Sequence, residues 1–234
     1  MNILYEDNHL IVVNKRAGEI VQGDKTGDIC MAESIKAFIK ERDAKPGNVF
    51  CGVIHRLDRP VSGVCIFAKT SKALSRMNEL VKSRNFHKTY WAVSKIDIRD
   101  HNLDNALQKS VTLENWLIRN EKQNKSYVVK PGNKEAKQAI LDYRLLGISD
   151  GGYGLFEVDL HTGRHHQIRC QLSHAGFPIK GDLKYGAPRS NPDGSISLHA
   201  RKVEFEHPVS HKQIIIEAPV PVEFERMFGG IINR

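Results

Sequence analysis

The chain has 234 residues, of which 40% are hydrophobic and 26% are charged, a balance typical of a globular protein. Its 35 lysines and arginines outnumber its 27 aspartates and glutamates, and the net charge of +8 favours a polyanionic partner such as nucleic acid or an anionic membrane. The sequence has no apolar run near the roughly 20 residues that span a bilayer, no signal-peptide pattern and no CxxC pair of cysteines. We therefore expect a reduced, soluble, cytoplasmic protein.

The first third of the chain predicts a hairpin, a helix and two core strands. Apolar runs at 3–5 and 10–13 flank a polar turn, which is the pattern of a β-hairpin. An apolar stripe at helical spacing over 30–42 predicts a helix whose basic residues lie off the stripe and face solvent. Short, partly β-branched runs at 53–54 and 64–68, each bounded by glycine, predict two buried strands with a polar loop between them.

The remaining two thirds alternate between helix and strand patterns. Thr70 or Ser71 is a plausible N-cap for a helix that runs to about residue 83, and Thr162-Gly163 is expected to open a second helix through about His174. Residues 97–125 are polar and weakly periodic, which predicts a loop or short strands at a surface insertion. Strands are expected at 86–94, 128–129, 136–146, 153–160, 195–206 and 213–218, and a short terminal helix at 222–228.

The polar loop at 55–63 is the most informative stretch, because it places one carboxylate, Asp58, between Arg56 and Arg59. Pro60 restricts its own φ and that of the preceding residue, so the loop's shape is partly fixed by its own sequence. A carboxylate on such a loop can act as a nucleophile, a general base or a metal ligand, and a neighbouring arginine favours its charged form. The alternative is a turn aspartate that pairs with arginine at the surface.

Five stretches of the chain together resemble the signature of one enzyme family. His55-Arg56-Leu57-Asp58 followed by Ser62-Gly63 is similar to the central motif of the RluA-type RNA pseudouridine synthases. The other four stretches match that family in the same order: Lys88-Thr89-Tyr90, Thr162-Gly163-Arg164-His165-His166-Gln167-Ile168-Arg169, Gly181-Asp182 with Tyr185-Gly186, and Leu198-His199-Ala200 with Phe205 and His207-Pro208. The resemblance therefore extends over nearly the whole chain.

The resemblance implies an α+β fold with a mixed, mainly antiparallel central sheet and flanking helices. It implies a single catalytic domain over 1–234, without the small N-terminal RNA-binding domain that some relatives carry. The implied activity is the isomerisation of specific uridines in rRNA or tRNA to pseudouridine, by base flipping, cleavage of the glycosidic bond and C–C rejoining, with no cofactor and no metal. The expected partner is RNA, and the expected oligomeric state is a monomer.

The resemblance also implies roles for individual residues. Asp58, Tyr90 and Arg169 are the expected catalytic residues: Asp58 is a nucleophile or a base, Tyr90 stacks on the flipped base, and Arg169 pairs with Asp58. The expected substrate-binding residues are His55, Arg56, Lys15, Arg164, Gln167, Ile168 and Leu172. Within that set, Lys15 and Arg164 are expected to be surface cations that contact the RNA backbone, whereas Ile168 and Leu172 would lie beside the target base or simply in the core.

The chain departs from the family pattern at three places. Arg16 is expected to give a looser or more RNA-attracting turn, and the other two departures indicate a subgroup with a different RNA target. Arg16 replaces a usual proline, Pro60-Val61 replaces a frequent Asp-Thr pair, and His165 replaces a common threonine. Two other classes of function remain as alternatives. One is a catalytically silent RNA-binding protein on the same fold. The other is a metal-dependent RNA hydrolase that uses His161 and His165, which have i, i+4 spacing but lack a carboxylate partner in the sequence pattern.

Overall fold

The structure is a computed structural model that describes residues 1–23, 27–96 and 109–232. The chain divides into two compact units. Unit 1 contains Met1–His87 and Ala200–Pro219, and unit 2 contains Lys88–His199 and Val220–Arg234. The expectation of one domain over 1–234 stays a prediction.

The described residues form eleven strands and four α-helices. The strands are β1 (Ile3–Glu6), β2 (Leu10–Lys15), β3 (Gly52–Val53), β4 (Ser62–Ala68), β5 (Phe86–Lys95), β6 (Val111–Asn120), β7 (Lys125–Val129), β8 (Lys137–Ile148), β9 (Tyr153–Leu160), β10 (Leu198–Glu206) and β11 (Gln213–Glu217). The helices are α1 (Met31–Arg42), α2 (Ser71–Lys82), α3 (Gln167–His174) and α4 (Val222–Ile232), and a short 3-10 helix spans Leu183–Tyr185.

Unit 1 places the Asp58 loop between two antiparallel strands. The strands β1, β2, β4 and β10 are neighbours in that order, and β3 and β11 pair with β4 and β10. Because β3 and β4 pair with each other, the chain between them, 54–61, is a loop held at both ends by hydrogen-bonded strands. The helix α2 begins with a capped N-terminus, since the hydroxyl of Thr70 accepts a hydrogen bond from Ala73 N at 3.1 Å.

The core of unit 1 gives this loop a rigid base. Buried side chains from β2, β4, β10, β11 and α2 form one apolar cluster that includes Val12, Ile66, Met77 and Phe205. Ile54, the first residue of the loop, belongs to the same cluster. The loop therefore starts inside the core, and its irregular backbone is carried by well-packed elements.

In unit 2 the strands β5, β9, β8, β6 and β7 are antiparallel neighbours in that order. Leu155 and Val93 from this sheet pack against Phe224 and Phe228 of α4. A smaller cluster joins Leu117 and Ala139 of the sheet to Cys170 of α3 and to Tyr185. The α+β class with a mainly antiparallel sheet and flanking helices is thus confirmed.

Two sequence-based expectations need correction. The region predicted as a loop or short strands over 97–125 contains the ten-residue strand β6, whose polar residues alternate on an exposed face; residues 97–108 lie outside the described residues. The helix predicted to open at Thr162 begins at Gln167, because His166 has a left-handed conformation with φ of 51°. Residues 162–166 form a turn instead, and Arg164 is not part of the helix.

Gly63 lies in β4, just after the Asp58 loop, at a position where no side chain fits. Its φ is 115°, and a Cβ added there would lie 2.3 Å from the carbonyl oxygen of Ala200. We expect Gly63→Ala to lower the free energy of unfolding by at least about 2 kcal/mol, because backbone strain and a steric clash both act at this point. Urea denaturation measures this change. Gly47→Ala is the control, since an added Cβ at Gly47 meets nothing within 4 Å; equal stability of the two variants would contradict the prediction.

Candidate active site

The loop that carries Asp58 is tied to the turn after β2. Val61 N donates to the carbonyl oxygen of Asp58 at 3.0 Å, which makes a tight turn over 58–61. Gly18 N donates to Arg59 O at 2.8 Å, and Arg59 Nε donates back to Gly18 O at 3.1 Å. The guanidinium of Arg59 also pairs with Asp28. The Arg59 side chain therefore fixes the loop against the turn after β2. The other two charged side chains of the loop are Asp58, which is half-exposed, and Arg56, which is exposed to solvent.

Lys15 lies beneath this loop rather than at the surface. Its side chain is buried, with the residue only 1% exposed. Its ammonium donates to three carbonyl oxygens, those of Arg16 at 3.0 Å, Arg59 at 3.1 Å and Val61 at 2.7 Å. The expectation that Lys15 is a surface cation gripping RNA is wrong, because the ammonium is buried and its three N–H groups donate to backbone carbonyl oxygens, two of them in the loop.

Burial also changes the protonation of Lys15. Loss of water lowers the pKa of the Lys15 ammonium to about 8, while the charges of Glu19 and Asp58 act in the opposite direction. The positive charge under the loop is thus partly balanced by the Asp58 carboxylate. Lys15 thus influences Asp58 in two ways: it fixes the backbone of the loop by hydrogen bonds, and it places a positive charge near the carboxylate.

His55 is half-buried at the start of the loop. Its imidazole lies 5.6 Å from the ring of Phe86, and its carbonyl oxygen accepts a hydrogen bond from Cys65 Sγ at 3.8 Å. Burial raises the pKa of the Cys65 thiol to about 12, so the sulfur keeps the proton that it donates. These contacts fix the loop entrance, and a substrate contact by His55 stays a prediction.

In unit 2, Tyr90 lies on β5 and is 6% exposed. Successive side chains of a strand point to opposite faces, so Tyr90 shares its face with Lys88, whereas Thr89 on the other face donates to Asp159 at 2.8 Å. Burial lowers the pKa of the Lys88 ammonium. The sequence analysis assigned no role to Lys88, and only the strand alternation indicated that it accompanies Tyr90.

The turn before α3 is built by Gln167. The amide oxygen of Gln167 accepts from Thr162 Oγ1 at 2.8 Å and from Arg164 N at 2.9 Å, and its amide nitrogen donates to Ile140 O at 3.1 Å. Gln167 is buried and holds the turn together, and its contact with substrate stays a prediction. Arg164 is exposed, with Nε donating to Gln138 O at 2.8 Å, as a phosphate-contacting cation would be.

The apolar residues of α3 point into the core. Leu172 is 0% exposed and therefore part of the core, and its contact with a target base stays a prediction. Ile168 is also buried, and its contact with substrate stays a prediction.

Arg169 has a partner that the sequence analysis did not assign. Its Nε and Nη2 donate to the two carboxylate oxygens of Asp182 at 2.6 and 2.9 Å. The guanidinium lies over the ring of Tyr185, with Cζ 5.1 Å from the ring centroid. Asp182 and Tyr185 were part of the family resemblance, but their spacing alone did not show which residue they contact. The predicted pairing of Arg169 with Asp58 stays a prediction.

The histidines considered as metal ligands have other neighbours. His161 pairs with Asp142 at 2.7 Å, and the rings of His165 and His166 stack with centroids 3.8 Å apart. Within 1–23, 27–96 and 109–232, no group of three or more His, Cys, Asp or Glu residues is placed to hold a metal ion. In the same part of the chain, no helix combines the length and apolar character needed to cross a bilayer.

Comparison with known proteins shows the family. A family model described as RNA pseudouridylate synthase matches residues 9–174. Ribosomal large subunit pseudouridine synthase D of Xanthomonas campestris pv. campestris is 32% identical over 99% of this chain and 69% of its own length. tRNA pseudouridine synthase C of Pectobacterium carotovorum subsp. carotovorum is 29% identical over 100% of this chain and 62% of its own length. The solved structure of human RNA pseudouridylate synthase domain containing 4 has the same fold, with a TM-score of 0.75 at 23% identity over 95% of this chain and 90% of that one.

The chain belongs to the RNA pseudouridylate synthase family. It is accordingly an RNA pseudouridine synthase, which is an isomerase, and the resemblance to the RluA-type enzymes is confirmed.

The buried ammonium of Lys15 predicts a specific pH dependence. The pKa of Lys15 is about 8 in the folded protein and about 10.4 in an unfolded chain. Between these values the unfolded chain binds more protons, so stability rises with pH. We expect the free energy of unfolding of the wild type, minus that of Lys15→Met, to increase by about 1–3 kcal/mol from pH 7 to pH 10. Urea titrations at several pH values measure this difference.

Lys72→Met provides the control for this experiment, because Lys72 is an exposed residue of α2. The corresponding difference for Lys72 should stay flat over the same pH range. A flat difference for Lys15 would show that its ammonium is not desolvated under the loop.

Proposed function

We propose that this protein converts specific uridines of rRNA or tRNA to pseudouridine, with Asp58 as its catalytic carboxylate. The observation that carries the proposal is the construction of the loop at 54–61. The Lys15 ammonium donates to two carbonyl oxygens of the loop backbone, and the Arg59 side chain ties the loop to Gly18, while Asp58 itself stays half-exposed. A carboxylate held at a fixed place on a rigid element is what proximity and orientation effects in catalysis require.

The reaction breaks the bond between uracil N1 and ribose C1′ and forms a bond between C5 and C1′. The C5 proton leaves and N1 gains a proton, so the product is an isomer of the substrate and the RNA keeps its length. The target base must leave its helix, which costs a few kcal/mol. Asp58 acts either as the nucleophile, at C1′ or at C6 of the base, or as a base that removes a ribose proton.

The remaining site residues have supporting roles in this proposal. Tyr90 stacks on the flipped base, a contact that aromatic side chains commonly make with unstacked bases. Arg169 pairs with Asp58 through a charge-assisted hydrogen bond and orients it. The exposed Arg56 and Arg164 contact phosphates, and Ile168 contributes an apolar contact beside the base.

The choice between rRNA and tRNA stays open in this proposal. The two relatives described above are named for the large ribosomal subunit and for tRNA, and their identities of 32% and 29% are close. The cytoplasmic location and the monomeric state expected from the sequence stay predictions. The alternative function is a catalytically silent RNA-binding protein, which would not need the Asp58 carboxylate.

Position-resolved mapping of pseudouridine in total rRNA and tRNA tests this proposal. The strains are one that lacks the gene and the same strain carrying either the wild-type gene or Asp58→Ala. We expect one or a few modified sites to disappear on deletion and to return only with the wild type, because the carboxylate is required for the chemical step.

Purified protein on RNA from the deletion strain completes this test. Full restoration by Asp58→Ala would remove the catalytic role of Asp58. An unchanged map in every strain, with no activity of the purified wild type, would favour the silent RNA-binding protein.

Unit 2 has one basic segment that includes a β-hairpin. Residues 109–137 contain seven basic and three acidic residues, a net charge of +4, which is half of the chain's +8 in 29 of its 234 residues. This segment is the hairpin of β6 and β7 with its following connection, and Lys122, Lys130 and Lys134 are exposed on it. The proposal assigns the main electrostatic contact with RNA to this hairpin.

Salt dependence of RNA binding tests this assignment. Each lost phosphate contact lowers the slope of log affinity against log salt concentration by about 0.7–0.9. We expect the triple variant Lys122→Ala, Lys130→Ala, Lys134→Ala to reduce the slope by about 2 and to weaken binding at least about tenfold at low salt. Filter binding with total RNA from the deletion strain measures both quantities.

A matched triple variant removes the same charge elsewhere. Lys40, Lys72 and Lys82 are exposed on α1 and α2, and their joint change to alanine should alter the slope by less than about 0.5. Equal slopes for the two triple variants would show that the hairpin has no special part in RNA binding.

A further inference from the structure

Arg169 is held from two directions by residues of one short turn. The Asp182 carboxylate accepts from Nε and Nη2 of the guanidinium in the side-on, bidentate arrangement. The guanidinium carbon also lies over the face of the Tyr185 ring, 5.1 Å from its centroid. Asp182 directly precedes the 3-10 helix Leu183–Tyr185 and Tyr185 ends it, so both supports of Arg169 belong to one short turn. The carboxylate and the ring therefore restrain the guanidinium from two directions.

The turn itself is anchored independently of Arg169. Asp182 N donates to Ile179 O at 2.9 Å, and Asp182 O accepts from Tyr185 N and from Ala187 N, both at 3.0 Å. Gly181 precedes it with φ of 88°, and a Cβ added there would lie 2.7 Å from Ser195 O. The backbone around the carboxylate is therefore tightly determined.

The second support, Tyr185, is fixed through its hydroxyl group. The hydroxyl oxygen accepts from Ser126 N at 2.8 Å and lies 3.0 Å from His166 Nδ1. Burial raises the pKa of Tyr185 to about 12, so the phenol stays protonated. The neutral Tyr185 ring is thus fixed through its hydroxyl group while its face contacts the Arg169 guanidinium.

The charged pair lies inside the protein. Arg169 is 5% exposed and Asp182 is 2% exposed. Replacing such a pair by apolar side chains of similar volume is often neutral or stabilising, whereas removing one partner is strongly destabilising. A buried ion pair is thus a poor device for stability alone. Its value here is that it fixes the direction of a permanent positive charge.

We propose that Asp182 is a positioning residue for pseudouridine formation: together with Tyr185 it fixes the Arg169 guanidinium in the orientation in which Arg169 acts on the catalytic carboxylate. This inference rests on the proposed function, in which Arg169 is the partner of Asp58. Asp182 contacts Arg169 and not the RNA in this arrangement. Its loss therefore lowers the rate of the chemical step and leaves RNA affinity unchanged.

The assay follows the proton that leaves C5. Total RNA from the deletion strain, grown with uridine tritiated at C5, releases tritium when pseudouridine forms. We expect Asp182→Asn to lower kcat at least about tenfold with KM within about twofold of the wild type. Asp182→Glu, which keeps the negative charge, should recover part of that loss.

A double-mutant cycle with Arg169→Lys separates positioning from a general structural role. If Asp182 acts through Arg169, the variant that carries both Arg169→Lys and Asp182→Asn should be no more than about twofold slower than Arg169→Lys alone. If the losses of kcat in the two single variants multiply in the double variant, the proposal is overturned. So would wild-type kcat in Asp182→Asn, or a change confined to KM.

Stability is controlled with Leu141→Ala, which removes a fully buried apolar side chain of β8 in the same unit. Its kcat per folded molecule should match the wild type although its Tm is lowered. If Asp182→Asn does not fold, Asp182→Glu replaces it in the double-mutant cycle with Arg169→Lys. Failure of both variants to fold would make Asp182 a structural residue and overturn the proposal.

The outcome is distinguishable from failure of the proposed function. If the wild type releases no tritium, the proposed function is wrong. If the wild type is active, Asp58→Ala is inactive and the Asp182 variants are normal, only the inference about Asp182 is wrong.

Discussion

The three hydrogen bonds from the buried ammonium of Lys15 are the constraint on which the Asp58 loop depends. Two of them join the end of β2 to the backbone of Arg59 and Val61, 44 and 46 residues further along the chain. A buried ammonium must be compensated, and here the compensation comes from carbonyl dipoles and from the nearby charge of Asp58. The same contacts that satisfy the lysine therefore hold the loop in shape.

Unit 2 contains a second buried cation that is compensated differently. Arg169 forms an ion pair with Asp182 and lies over the Tyr185 ring. Lysine loses its proton readily when it is desolvated, whereas the guanidinium stays charged at all relevant pH values. The pKa of Lys15 is lowered to about 8, so its charge depends on pH, while Arg169 provides a permanent one.

The charge of this protein serves two separate purposes. Lys15, Arg59 and Arg169 are engaged with the protein's own backbone and carboxylates, so they contribute to the net charge but organise the site. The exposed basic residues of the β6–β7 hairpin lie where a polyanion can reach them. Net charge alone pointed to a polyanionic partner, but it did not distinguish these two groups of cations.

The sequence by itself determined the hairpin of β1 and β2, the helices α1 and α2, most of the strands, the position of Asp58 on a loop between paired strands, and the family. These depend on residue spacing and on contiguous motifs, which are local properties. Only the tertiary structure decided that Lys15, Gln167 and Leu172 are buried, that α3 begins at Gln167, and that Asp182 holds Arg169. Whether a polar side chain faces RNA or the interior depends on which carbonyl or carboxylate groups the fold brings to it from elsewhere in the chain, and residue spacing carries no information about that.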